Sequence, residues 1–374
     1  MWSVAKLLST LLTWALHYYV WRRLVRDGEL GPRAHKIITV AMIVMCLLIP
    51  VTTWARLWWP AFATDSAWVT MPWLAFVGML SIALAFLEVP HQMLRRRTDL
   101  SRRAFLSRIT GGAAGVVAGG SVVAGIADAR GEHEIVDVEV RLAKLPRALD
   151  GYTIVQLSDL HTGLTIGREF VQRVVDRANA LAPDVFALTG DLVDGPVADI
   201  RDDVAPLAAL RARHGVFAVT GNHEYYAGAD AWIAELSRYG IRFLRNQRVT
   251  LAPGLDLAGV DDYGADRYPG HGEDLGAATA GRDPSHALVL MAHQPRQVLH
   301  AAKHAVDLQI SGHTHGGQIW PWHYIVRLQQ GGLLAGRYEH EGTQLYVTRG
   351  CGYWGPPVRL GAPLEITRVI LRAA

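Results

Sequence analysis

Cysteine is scarce: Cys46 falls in an apolar segment and Cys351 lies near the end of the chain, two in 374 residues. Two such residues cannot build a disulfide framework, and they say nothing about redox compartment. Strong charge is also lacking. The formal net charge is +3, and the second half has no basic stripe interleaved with aromatics, so no nucleic-acid partner is expected. Apolar residues, by contrast, make up 50% of the chain, and the mean hydropathy of +0.14 is high for a soluble enzyme. That excess points to a membrane portion. At roughly 150 residues per domain, the length suggests two or three units.

The apolar excess is concentrated in four stretches, at residues 7–21, 37–54, 67–87 and 109–127. Crossing a bilayer takes about 20 apolar residues, which the uncharged second and third stretches supply. The first is short but carries Trp14, Tyr18, Tyr19 and Trp21, which suit a membrane interface, and Lys6 can snorkel at its edge. The fourth is uncharged and rich in glycine and alanine. About four transmembrane helices are therefore expected within residues 1–130, followed by a second domain over 131–374.

The basic residues set the expected orientation. Arg22, Arg23, Arg26, Arg33 and Lys36 separate the first two stretches, and Arg95, Arg96, Arg97, Arg102, Arg103 and Arg108 separate the last two. Only Arg56 and Asp65 lie between the second and third. Basic loops stay in the cytoplasm, so everything after Ala127 is expected outside the cytoplasmic (inner) membrane, in a periplasm if the cell is Gram-negative. Ser101-Arg102-Arg103-Ala104-Phe105-Leu106 resembles an internal twin-arginine export signal. An ordinary juxtamembrane basic cluster is the alternative, and both send the following domain outward.

Beyond Ala129 the pattern changes to short apolar runs. Strands are expected at 135–142, 152–157, 184–189, 216–220, 255–260, 287–292, 306–310, 344–348 and 366–371, and helices at 168–181, 204–213 and 232–239. Strands alternating with helices argue for an α/β domain of roughly 240 residues. The ends of these runs concentrate one chemistry. Asp159 and His161 follow the first run after 150, Asp191 the next, Asn222 and His223 the third, His293 a later one, and His313 and His315 another. Each alone has a structural explanation as a cap or turn. Together, at the carboxyl ends where open α/β sheets bind ligands, they point to a site.

Imidazoles mixed with oxygen donors suit Mn, Fe, Zn or Co rather than Mg or Ca alone. Two such cations repel at close range and need a bridging carboxylate, for which Asp191 is the candidate. A paired centre clamps an in-line displacement at phosphorus and lowers the pKa of a bridging water from about 15.7 towards neutrality, supplying a hydroxide nucleophile. The departing alkoxide needs a proton, which an imidazole not bound to metal is suited to give.

These blocks resemble the calcineurin-like metallophosphoesterase superfamily: Asp159-x-His161, Gly190-Asp191-x-x-Asp194, Gly221-Asn222-His223-Glu224, His293 and Gly312-His313-Thr314-His315, over about 150–370. The preceding apolar stretches and the twin-arginine-like segment resemble its transmembrane and exported phosphodiesterase branch. The resemblance implies a four-layer α/β/β/α sandwich. It implies that Asp159, His161 and His315 hold one divalent metal ion, that Asn222, His293 and His313 hold a second, and that Asp191 bridges them. His223 would act as acid or charge stabiliser, with Asp194 and Glu224 in supporting positions. The implied activity is a membrane-anchored phosphoesterase, expected to be a phosphodiesterase. Its substrate would be a phospholipid headgroup, a lipid-linked phosphate, a cell-envelope polymer or a nucleotide. Some members of the broader branch hydrolyse UDP-2,3-diacylglucosamine in lipid A synthesis, and that pyrophosphatase reading is the alternative enzyme. A catalytically inactive metal-binding scaffold is the alternative of another class. Arg349 is expected either to meet a phosphate or to form a surface salt bridge. The segments 261–284 and 320–341 are expected to shape specificity, and the second carries Trp320, Trp322, Tyr324 and Leu328.

Overall fold

The computed structural model describes residues 2–28, 30–55, 58–95 and 100–374. The chain divides into two compact units, residues 1–130 with 355–360 and residues 131–354 with 361–374.

The first unit is helical: α1 (Trp2–Trp21), α2 (Pro32–Ala55), α3 (Pro60–Arg95) and α4 (Leu100–Arg130). Each contains one of the four apolar stretches. Among the described residues, three helices are long and apolar enough to cross a membrane, Pro32–Ala55, Pro60–Leu87 and Phe105–Arg130. Of helix α1, side chains are described only over residues 7–21, shorter than such a span. Helix α3 packs on α2 and α4, where buried small residues (Ala63, Ala67 and Ala75 on α3, Ala114 and Ala118 on α4) allow close backbone approach. The buried His17 is fully paired: its Nδ1 donates to the Thr13 carbonyl at 2.8 Å and its Nε2 accepts from Trp73 Nε1 at 2.9 Å. Arg56, Arg96 and Arg97, and the side chains of Lys6, Arg95, Ser101, Arg102, Arg103 and Ala104, lie outside the described residues. The backbone of the twin-arginine-like segment is helical, within α4.

The second unit contains β1 (Glu134–Leu142), β2 (Tyr152–Leu157), β3 (Val185–Leu188), β4 (Val216–Ala218), β5 (Ile241–Phe243), β6 (Gln247–Ala252), β7 (Leu255–Gly259), β8 (Ala287–Met291), β9 (Leu308–Ser311), β10 (Gly336–His340), β11 (Thr343–Val347) and β12 (Glu365–Ala373). They form two six-stranded sheets, ordered β1-β12-β2-β3-β4-β5 and β10-β11-β9-β8-β7-β6. Strands β2 to β5 run parallel in one sheet, and β7, β8, β9 and β11 run parallel in the other. The sheets pack face to face over one apolar cluster that takes Ile154, Val185, Phe217 and Val369 from the first and Leu257, Val289, Ile310 and Tyr346 from the second.

Helices cover the outer faces. α5 (Arg168–Asn179) buries Phe170, Val171, Val174, Val175 and Ala178, the stripe its spacing predicts. On the other side, Leu275 and Ala278 of α7 (Leu275–Thr279) and Ala301 of α8 (Val298–Ala301) meet Ala258, Leu288 and Leu290 of β7 and β8. The layers are those of the expected α/β/β/α sandwich.

Local differences have physical causes. The helix expected over 204–213 lies earlier, as α6 (Val197–Val204) followed by a 3-10 turn over Ala205–Ala209. Pro206 sits at the start of that turn; without an N–H, and with its ring against the preceding turn, it stops the α-helix from continuing. Strands β5, β6 and β10 were not expected. All three are sheet edges; β6 and β10 show no fully buried residue and thus no apolar run. The segment 320–341 contains a further short helix, His323–Gln329.

Candidate metal centre

The site sits at the carboxyl ends of parallel strands. Ser158, Asp159 and His161 follow β2, Asp191 follows β3, Asn222 and His223 follow β4, His293 follows β8, and His313 and His315 follow β9. A polar link runs between the sheets nearby: the buried Gln156 amide donates to Thr189 Oγ1 at 2.9 Å and to the Ser311 carbonyl at 3.0 Å.

The backbone there is contorted. Asp159, His161, Asp191, His313 and His315 all have positive φ, between 51° and 71°. Non-glycine residues in this region carry strain of order 1–3 kcal/mol each. Side chains that leave tight turns in this way point inward from three loops. Glycine makes room: a Cβ on Gly312 would collide with Ser158 and Asp159, and one on Gly221 with Asp191.

Three triads of potential ligands result: one is His161, Asp194 and His223, and the other two share no residue. Asp159, His161 and His315 offer atoms within 4.8 Å of one another, as do Asp191, His293 and His313. His161 Nε2 lies 2.9 Å from His315 Nε2, and His293 Nε2 lies 3.2 Å from His313 Nδ1. Asp191 Oδ2 stands between these last two triads, 3.1 Å from His293 Nε2 and 3.7 Å from His161 Nε2. Its other oxygen, Oδ1, accepts the backbone N–H of His223 at 2.8 Å. The structure thus brings Asp159, His161, Asp191, His293, His313 and His315 into one cluster, with Asn222 and His223 joined to it through that backbone bond.

The surroundings orient these groups. Asp194 Oδ1 accepts from His161 Nδ1 at 2.9 Å and from His223 Nδ1 at 2.6 Å. His293 Nδ1 donates to the Thr189 carbonyl at 2.8 Å. Spending Nδ1–H this way leaves Nε2 of His161 and His293 with a lone pair for a cation. Glu224, fully buried, accepts from the backbone N–H groups of Asp191, Gly221 and Leu192 at 2.9, 2.6 and 2.7 Å. It braces the Asp191 loop.

Electrostatics follow from burial and crowding. Burial raises the Asp159 carboxyl. Burial acts the same way on Asp191, but the imidazoles of His293 and His223 outweigh it and hold Asp191 well below its ordinary value. Asp194 is likewise depressed, with His161 and His223 overcoming burial. Burial lowers His223, yet Asp191 and Asp194 prevail and lift it to about 9. Burial and the adjacent His293 push His313 down to about 3, so it stays neutral. Burial, helped by Asp191, lifts Glu224 to about 7.

One atom tests whether a cation fits. Asn222 Oδ1 is buried without a hydrogen-bond partner, which costs about 1–3 kcal/mol if nothing meets it. A carbonyl oxygen together with imidazoles and carboxylates makes a donor set for a borderline divalent ion. The residues fit such an ion.

A family model described as calcineurin-like phosphoesterase matches residues 152–317. The chain is similar to a Danio rerio protein named transmembrane protein with metallophosphoesterase domain, 36% identical over 334 residues, covering 83% of this chain and 75% of the other. The chain belongs to the calcineurin-like metallophosphoesterases. A Bos taurus protein of the same name is 41% identical over 267 residues, 67% of this chain and 60% of that one. A Helicobacter pylori protein named uncharacterized metallophosphoesterase is 39% identical over 235 residues, 62% of each chain. This metallophosphoesterase is a metal-dependent phosphoric ester hydrolase, and its three long apolar helices accord with relatives named as transmembrane proteins.

Three features escaped the sequence reading. Asp262 is buried beside His293, accepting from the Gln294 amide at 3.0 and 3.2 Å and from Gly264 N–H at 2.8 Å. It also follows a strand, β7, and that position was the available signal. Tyr226 and Trp354 flank His223, with ring centroids 5.1 and 5.8 Å away. Trp354 follows β11 in a glycine-rich turn, Gly350-Cys351-Gly352, again a strand end. Arg349 is not in the cluster: Nε donates to Glu365 and Nη2 to Glu134, both at 2.7 Å. The salt-bridge expectation describes its position.

Proposed function

We propose that the second unit holds two divalent cations and hydrolyses a phosphate ester, expected to be a diester, on the outer side of the cytoplasmic membrane. Asp159, His161 and His315 would hold one ion, Asn222, His293 and His313 the other, and Asp191 both. The position of Asp191 carries this reading: one carboxylate oxygen lies within 3.1–3.7 Å of imidazole nitrogens from two separate triads. Bound there, a pair of ions such as Mn, Fe, Zn or Co supplies positive charge at the phosphoryl oxygens and an acidified water.

The rest of the chemistry belongs to the chain. His223, fixed through Nδ1 by Asp194, presents its remaining ring nitrogen as the proton source for the departing oxygen. The Asp194 carboxylate 2.6 Å from Nδ1 favours the protonated ring. Asp194 holds the imidazole in the tautomer and orientation that proton donation needs. Glu224 keeps the backbone under Asp191 in place. Helix α1 joins the three long apolar helices in the proposed anchor, and the charge asymmetry of the intervening loops supports an outward-facing domain.

Metal analysis of the purified protein, with a panel of aryl monoesters and diesters, phospholipids and nucleotide sugars, tests the proposal. With Mn²⁺ an aryl diester should be cleaved, and a chelator should stop the reaction. Retention of a single ion at saturation, or metal-independent cleavage, would contradict it. Reporter fusions after residue 130 test the orientation; a cytoplasmic signal would reverse it and favour a substrate made in the cytosol, such as UDP-2,3-diacylglucosamine.

A further inference from the structure

Two aromatic rings stand around His223. Tyr226 and Trp354 meet the imidazole at interplanar angles of 62° and 75°. Both remain partly in solvent, 41% and 57% exposed. An exposed indole on a loop ordinarily loses little by moving, yet the backbone carrying this one is tied on several sides. Trp354 N–H donates to Gln318 Oε1 and the Trp354 carbonyl accepts from Gln318 Nε2, both at 2.9 Å. Just before it, Cys351 N–H donates to the Ser158 carbonyl at 2.8 Å and Gly352 N–H to the Asp159 carbonyl at 2.9 Å. Tyr353 Oη donates to the Thr165 carbonyl at 3.0 Å. Gln318, which makes the reciprocal pair, itself sits at φ 53°. The indole is thus held beside the proton donor by the same loops that carry Asp159 and His315.

Whatever leaves the phosphorus receives its proton from His223, so the leaving group lies on the side of that imidazole. A held, exposed aromatic surface there is a ready contact for it. We propose that Trp354 and Tyr226 form the leaving-group subsite, and that this subsite takes a planar aromatic ring, either aryl or a nucleobase. Ring against ring gains a directional contribution beyond the area buried, and stacking tolerates many flat groups. An acyl chain would gain burial alone. The inference rests on the role assigned to His223.

The test uses the full-length, Mn²⁺-loaded protein in detergent and three phosphonates, whose P–C bond is not hydrolysed. Calorimetric titration compares phenyl-, methyl- and octylphosphonate. The parent protein should bind the phenyl compound about tenfold more tightly than the methyl compound. Trp354→Ala should remove most of that preference at unchanged metal content, Trp354→Phe should keep it, and Tyr226→Leu should reduce it. Equal affinity for phenyl and methyl compounds in the parent, or parallel weakening of both in Trp354→Ala, would overturn the subsite. Octyl binding as tight as phenyl, with the same loss in Trp354→Ala, would overturn the choice of a planar ring. Turnover of an aryl phosphodiester, measured alongside, separates the two claims. Ring preference without turnover upholds the subsite while the hydrolytic mechanism fails; turnover without ring preference does the reverse.

Discussion

The two triads that the proposed bridge at Asp191 would join are not equivalent. The first has a carboxylate of its own, Asp159, and a second carboxylate, Asp194, behind His161 at 2.9 Å. The second adds two imidazoles and the neutral Asn222, and behind His293 stands only the Thr189 carbonyl, at 2.8 Å. Asp262 lies near His293 but is turned towards Gln294 and Gly264. A cation in the first triad therefore meets more negative charge, and its imidazole ligand is made more basic by a carboxylate partner. The comparison teaches that the proposed dinuclear centre would have a tight half and a loose half, with His313, held neutral by burial and by His293, as a ready ligand of the loose one.

Changing the group common to both halves breaks the comparison most severely. Asp191→Asn should empty both halves, lowering kcat/KM by more than the roughly 100-fold that loss of an outer partner causes; metal analysis of the variant checks this, and retention of a full pair would refute a shared ligand. His223→Ala comes next. It should cut kcat by about 10²–10⁴-fold while metal content stays at the parent value, since in the proposed mechanism the side chain donates a proton and holds no ion. Asp194→Asn touches the first half alone, together with His223. A fall of about 10–100-fold in activity, with weaker binding of the tighter ion, is the expected outcome. The smallest effect on turnover belongs to Arg349→Ala. Its partner Glu134 is exposed but Glu365 is buried, so stability should fall by roughly 3 kcal/mol as that carboxylate loses its cation, while turnover changes by less than about twofold; a large rise in KM would mean that the guanidinium does reach the phosphate.

The positions of these residues were legible before the structure because each donor directly follows a buried run. The parallel strands β2, β3, β4, β8 and β9 are too apolar to be misread, and the donors come within two to four residues of their ends. The left-handed φ of Asp159, His161, Asp191, His313 and His315 could not be read, since nothing in these residue types demands it. Edge strands β6 and β10 were illegible for the opposite reason: with water on one side and no fully buried residue, they leave no hydrophobic signature. Trp354 was hidden because its meaning depends on Gln318, 36 residues away in sequence.

Stepwise Mn²⁺ titration of the metal-free full-length protein, followed by electron paramagnetic resonance, tests the shared centre most directly. The account predicts a first equivalent bound tightly with the signal of an isolated ion, then a weaker second equivalent that converts it to an exchange-coupled pair, with Asp191→Asn abolishing the coupling. Two equivalents bound without coupling, or saturation at one, would contradict it.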